Sequence, residues 1–296
     1  MMLRAGAARN GRRRSRGARG ATTVGRLAGE VLRQYLAEAS AAAAALRRTP
    51  GGMPLHDYRV SLRRFRTALR LFAPSAARTG RPPERLRRLL STARDESVWL
   101  ARAERWCASG GRDRPRDRAY LRRLRGSYRR RQAALARAVA GGALSMALAR
   151  VRRSLPRVLR GVTDADATAA AFAARALRRA LRRLVRRKAN PVRPAEWHAL
   201  RRRVRRVRYL ADIFTPLLAP AGGEPGRALR RASSALGTVH DMDVAAARLA
   251  GDHPAPGWIR RRVRRERVRA VRRFGKQWKR LRRLAKRGRI FRLSHG

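Results

Sequence analysis

The sequence predicts an all-α protein built from two tandem four-helix bundles. Three observations carry that expectation. Ala, Leu and Arg, all good helix formers, dominate the 296 residues, and strand-like alternation is almost absent. Gly and Pro breakers cut the chain into long segments of helical periodicity. The four segments of the first half then recur in the second half, in the same order.

Residues 1–20, "MMLRAGAARNGRRRSRGARG", carry charge without an apolar run. They read as a disordered basic arm, not as a secretory signal. The first bundle is expected over 21–142. Its opening helix, 22–48, begins at capping threonines and stops before "TPGG". A second helix is expected from Pro54, in an N1-like position, to the neighbourhood of Pro74. The third covers 81–106 and the fourth 116–140, with "ASGGRDRP" as the loop between them. "LSMALARVRRSLPRVLR", within 143–163, is expected as a linker helix. The second bundle, 164–296, repeats the plan with helices over 164–188, 194–214, 225–250 and 257–287.

The duplication is legible residue by residue. His198 follows His56 by 142 positions, and the same offset carries Arg59, Arg63, Arg64 and Arg66 onto Arg201, Arg205, Arg206 and Arg208. Phe72 maps onto Phe214 and Pro74 onto Pro216. The third helices match as "LLSTARDESV" against "ALGTVHDMDV", which aligns Asp95 with Asp241 at an offset of 146.

Charge narrows the partner class. Lys and Arg number 77 against 18 Asp and Glu, a formal +59, and only Lys188, Lys276, Lys279 and Lys286 are lysines. Self-repulsion of that size opposes compaction unless an anion neutralises it, so a polyanionic partner is expected. Cys107 is the only cysteine, which excludes an intrachain disulfide and a Cys-based metal site and fits a cytoplasmic setting. No apolar run reaches the length of a membrane span.

On a helical wheel, His56, Arg59, Arg63, Arg66 and Arg70 fall in a stripe about 80° wide. Leu55, Tyr58, Leu62, Phe65, Leu69 and Phe72 form an apolar stripe beside it. His198, Arg201, Arg205 and Arg208 repeat the cationic stripe, with Asp212 at the place of Arg70. A cationic stripe that borders the core lines a groove, whereas a merely solvated one would stand opposite it. Two guanidinium groups 4 Å apart repel by about 4 kcal/mol at an effective dielectric near 20. Oxyanions between them would relieve that cost, and Arg suits them through its bidentate fork.

His56 and His198 head the two stripes, where an oxyanion would favour the imidazolium form. Tighter anion binding below about pH 6.5 is the corresponding expectation. Each copy supplies one such histidine, and Asp57 has Ala199 as its counterpart, so no metal site is expected. His240, His253 and His295 have no partner at useful spacing and read as incidental. Asp95, Asp241 and Asp243 are expected to anchor arginines of the neighbouring helix and hold the stripe in position. A catalytic carboxylate pair is disfavoured, since Ser97 stands opposite Asp243 in the alignment.

"HDYRVSLRRFR" and "HALRRRVRRVRY" resemble the H-x-x-R-x-x-x-R-R-x-R signature of CHAD domains, the conserved-histidine α-helical domains. "STARDESV" and "GTVHDMDV" are similar to the companion R-D-x-D-V segment, with Ser97 in place of an acid, His240 in place of an arginine and Ala199 after the histidine. The resemblance covers roughly residues 21–290. It implies two four-helix bundles related by pseudo-twofold symmetry around a basic central cavity. It also implies binding of inorganic polyphosphate and association with polyphosphate granules. His56, Arg59, Arg63, Arg64, Arg66, His198, Arg201, Arg205, Arg206 and Arg208 would be its ligands. CHAD domains often accompany a CYTH triphosphate hydrolase. No E-x-E-x-K segment occurs here, so a stand-alone, noncatalytic binder without cofactor is expected.

Nonspecific nucleic-acid binding is the competing expectation. Aromatic residues make up only 5%, few for the stacking that single-strand binders use, and those of the repeated helices sit on core stripes. A phosphatase using His56 or His198 as nucleophile lacks an acid partner and metal ligands.

Overall fold

A computed structural model describes residues 22–76, 83–109, 114–186, 191, 193–217, 223–251 and 255–286. The basic arm, His253 and His295 lie outside the described residues. Nine α-helices run through that portion: α1 Val24–Arg48, α2 Gly52–Phe72, α3 Glu84–Ser109, α4 Pro115–Ala140 and α5 Ala143–Arg160. They are followed by α6 Ala169–Arg186, α7 Pro194–Ile213, α8 Gly223–Ala250 and α9 Gly257–Lys286. Short 3₁₀ turns, Pro74–Ala76 and Thr215–Leu217, follow α2 and α7. No described residue forms part of a strand; one isolated bridge joins Thr23 to Thr168. None of these helices by itself is long and apolar enough to cross a membrane.

Local chemistry explains the boundaries. Thr23 caps α1 by accepting the Arg26 amide at 3.3 Å, and Arg47 and Arg48 oppose the helix dipole in its last turn. The chain reverses at Gly51, whose φ of 117° suits glycine. A Cβ there would also stand 2.5 Å from the Gln132 side chain of α4. Helix α2 accordingly starts at Gly52, two residues before the expected Pro54, which falls in the first turn where a missing N–H costs no intrahelical bond. Gly142, at φ 73°, turns the chain from α4 into α5.

Packing joins the halves into one body. Helix α1 lies on α2, α3 on α4, α7 on α8 and α8 on α9, while matching helices meet across the middle: α2 with α7, and α3 with α8. Phe72, Phe172 and Phe214 close this junction, with ring centroids 6.1 to 6.5 Å apart. A second cluster, including Trp99, Trp106, Tyr120, Met242 and Ile259, joins α3 and α4 to α8 and α9. The starts of α1 and α6 are bound together: Val24 N donates to Ala167 O at 2.9 Å, and Ala169 N donates to Thr22 O at 2.8 Å. Helix α5 packs on α1 and α4 and buries Leu144, Leu148, Val151, Leu155 and Val158, so the expected linker is part of the core.

Candidate anion-binding site

The apolar stripes of α2 and α7 are buried as their periodicity demands: Leu55, Tyr58, Phe65 and Phe72 on one, and Trp197, Leu200, Val204 and Phe214 on the other. Because α2 meets α7, that burial carries the adjoining cationic stripes into the seam between the halves. Arg59, Arg63, Arg201 and Arg205 are all half-buried there. Arg59 Nη1 donates to Leu90 O of α3 at 2.6 Å, while its buried Nε has no partner among the described residues.

The charges act on one another. Burial, then the Arg63 charge, lowers Arg59 to about 10. Burial, then Arg63 and Arg201, lowers Arg205 to about 9. Arg201 is lowered mainly by burial, with Asp241 opposing the shift and Arg63 adding to it. Arg63 of the first half therefore presses on both Arg201 and Arg205 of the second.

Two acids stand in this field. Burial raises Asp95, against the pull of Arg59, Arg248 and Arg201. Burial also raises Asp241, against Arg102 and Arg201. Asp241 Oδ2 accepts from Arg102 Nη2 at 3.3 Å, which ties α8 to α3 across the halves. Asp243 accepts from Arg267 Nε at 2.6 Å, which ties α8 to α9. The arginines held by Asp241 and Asp243 in these ion pairs lie outside the stripes. In the first half, Ser97 bonds to Arg94 of its own helix, and its neighbour Glu96 supplies the tie from α3 to α4 through Arg131 at 3.3 Å.

His240 is not incidental. Its Nδ1 lies 3.4 Å from Nδ1 of His198, with ring centroids 5.0 Å apart, so one ring must donate and the other accept. Burial first, then Arg201, His198 and Arg205, lowers His240 to about 3. His198 is lowered by burial and then by Arg202 and Arg201. His56 is lowered by burial and then by Arg94. The imidazolium expected near pH 6.5 is therefore disfavoured in the unliganded seam, because burial and guanidinium charge act together. The offset that aligns Asp95 with Asp241 also aligns Arg94 with His240. That alignment was the available signal for both residues.

The remaining expected ligands have contacts of their own, and one of them, Arg208, also adds to the charge that lowers Arg205. Arg64 Nη1 reaches Glu38 of α1 at 3.5 Å. Arg208 lies 3.8 Å from Asp212 and stacks over Tyr209 at 4.5 Å. Arg206 is exposed and lines a cleft between α6 and α7. Arg66, half-buried on α2, engages other groups of the protein. Among the described residues no group of three or more His, Cys, Asp or Glu side chains is placed to hold a metal ion.

These features define an all-helical protein whose two halves meet along an arginine- and histidine-lined seam. The chain belongs to the CHAD domain family, whose model matches residues 30–250. The fold is similar to the crystal structure of the CHAD domain from the plant Ricinus communis, with a TM-score of 0.64 at 20% identity, covering 92% of this chain and 94% of that one. It is also similar to PptA from Streptomyces chartreusis, with a TM-score of 0.61 at 20% identity, covering 87% of this chain and 99% of that one. No curated protein matches the chain in sequence.

Proposed function

We propose that the protein is a noncatalytic binder of inorganic polyphosphate. The chain of phosphates would run along the seam between α2 and α7, within two pseudo-twofold-related halves that enclose a basic cavity. One observation carries the reading: four half-buried stripe arginines converge on this seam, where the Arg63 charge disfavours the charged state of the other three and the carboxylates Asp95 and Asp241 oppose that effect at Arg59 and Arg201. Their mutual repulsion is a standing cost that a linear polyanion would offset. His56, His198 and His240 add donors, and bound phosphate would raise their affinity for protons. Cytoplasmic residence and association with polyphosphate granules follow as parts of the same proposal.

A second reading, nonspecific nucleic-acid binding, is favoured by a different surface. Arg260, Arg261, Arg264, Arg265, Arg272 and Arg273 of α9 are all exposed, and such a surface would attract any polyanion through counterion release. Competition at physiological salt between long-chain polyphosphate and DNA of matched charge separates the two. Polyphosphate should win per unit charge, and Arg63→Ala/Arg205→Ala should erase its advantage. Equal competition per charge would defeat the polyphosphate reading.

A further inference from the structure

Helix α7 carries a second set of arginines, turned away from the seam. Arg203 and Arg206 line a cleft of about 540 Å³ together with Arg175, Arg179 and Arg183 of α6. The three α6 arginines stand one turn apart at i, i+4 and i+8, so their row is about 12 Å long. Arg70, from the last turn of α2, lines the same cleft. The apolar part of the wall comes from Phe172, Leu184, Val207 and Leu210, and the one acid lining it is Asp164. Among the described residues, Arg175, Arg179, Arg183, Arg203 and Arg206 form no ion pair. Only two acids of the whole chain, Asp113 and Asp252, lie outside those residues.

We propose that this cleft is an anion site separate from the seam, and that it takes a phosphate ester with an apolar body. Five guanidinium groups with no carboxylate partner among the described residues call for a multiply charged ligand, since each fork matches a phosphate bidentately. A purely inorganic anion would gain nothing from Phe172, Leu184, Val207 and Leu210. A neutral apolar ligand would leave the charge unanswered. The volume falls within the roughly 300–1,000 Å³ of small-molecule pockets. A nucleotide and an alkyl phosphate share this chemistry, the base or the alkyl chain resting on the apolar wall while the phosphate meets the α6 row.

The test titrates the full chain at physiological salt with adenosine triphosphate, dodecyl phosphate and inorganic triphosphate. With the seam disabled by Arg63→Ala/Arg205→Ala, one of the two organic phosphates should bind one per chain, at least about tenfold more tightly than inorganic triphosphate; which of them does so identifies the source. Arg179→Ala/Arg206→Ala should weaken it by more than about tenfold, since removing one charge-assisted hydrogen bond already has that effect. Ala180→Phe, which fills the cleft and keeps every arginine, should do the same. Arg63→Ala/Arg205→Ala should leave this affinity within about twofold. Helical circular dichroism checks each fold, and Ala176→Leu replaces Ala180→Phe if that variant is disturbed. Triphosphate binding to the Arg63→Ala/Arg205→Ala variant as tight as the better-bound organic phosphate, no effect of filling the cleft, or loss in the seam variant alone would each overturn the proposal. Because the seam and cleft variants differ, failure here leaves the polyphosphate reading untouched.

Discussion

In the first copy of the motif, Arg64 on α2 reaches Glu38 on α1. Counted from the bridged threonines Thr23 and Thr168, the residue of α6 that matches Glu38 is Arg183. The matching arginine of α7, Arg206, therefore shares its cleft with a cation where Arg64 has an acid. The third helices diverge in a similar way. Arg94 in one copy is His240 in the other, and the tie to the fourth helix comes from Glu96 in the first half but Asp243 in the second. The comparison teaches that the seam and the outer faces follow different demands. Arg59, Arg63, Arg201 and Arg205 occupy the same positions in both copies, while the surrounding charges vary.

The largest expected effect falls on the shared element. Arg63→Ala/Arg205→Ala should weaken polyphosphate binding by two orders of magnitude or more, at roughly 1.5–3 kcal/mol for each charge-assisted hydrogen bond removed. Calorimetric titration measures it. The unliganded melting temperature should hold or rise, because removing two mutually repelling, half-buried cations relieves their repulsion. A collapsed unliganded fold would show these residues to be structural.

Next comes the tie between the halves. Arg102→Met removes the partner of Asp241, leaving a carboxylate that is only 30% exposed and already disfavoured by burial. Breaking a fully buried pair costs about 3–5 kcal/mol; partial exposure reduces that to roughly 1–3 kcal/mol. For a protein of this size the melting temperature should drop by several degrees, at about 2–4 °C per kcal/mol. An unchanged melting temperature would mean that the halves are joined by their apolar clusters alone.

The substitution of His240 for Arg94 gives one copy a titratable group that the other lacks. A histidine lowered in the native state takes its proton first in the unfolded chain. Its stabilising contribution is therefore complete above about pH 6.5 and is lost as pH falls through that value toward the native pKa. Asp95 and Asp241, raised by burial, act in the opposite direction and add stability as pH falls toward about 3.8. His240→Asn should remove a stability loss on the order of 1–2 kcal/mol at pH 5, read from melting curves at pH 7 and pH 5. Polyphosphate would raise the histidine pKa values, so its affinity should increase as pH falls, beginning at the liganded pKa. Identical pH profiles for the variant and the parent protein would dismiss His240 from both roles.

The smallest effect converts the second copy toward the first. Arg183→Glu places an acid where α1 has Glu38, and pairing with Arg206 should add about 0.2–1 kcal/mol, the worth of an exposed ion pair. A double-mutant cycle with Arg206→Ala measures the coupling. No coupling would show that the two copies place these side chains differently.

The helices and their breakers were readable because each depends on neighbours in sequence: Thr23 as a cap, Gly51 and Gly142 as turns, and the apolar stripes at helical spacing. The 142-residue offset also marked Arg59, Arg63, Arg201 and Arg205 in advance. His240 escaped because its partner, His198, is 42 residues away on another helix, and no local period records that approach. Arg64 and Arg206 look equivalent in sequence, yet their surroundings are set by α1 and α6.

The sequence by itself determined the helices, their duplication and the excess of cations, since propensity, periodicity and formal charge are properties of short stretches of chain. Tertiary structure alone decided which of those cations meet. Packing α2 on α1 and α7 on α8, with α2 meeting α7 across the middle, brings the charge of Arg63 to bear on Arg201 and Arg205, whereas Arg203 and Arg206 turn outward to α6. In a chain with this many arginines, charge is everywhere; only packing decides where it is concentrated, desolvated and left for a ligand to answer.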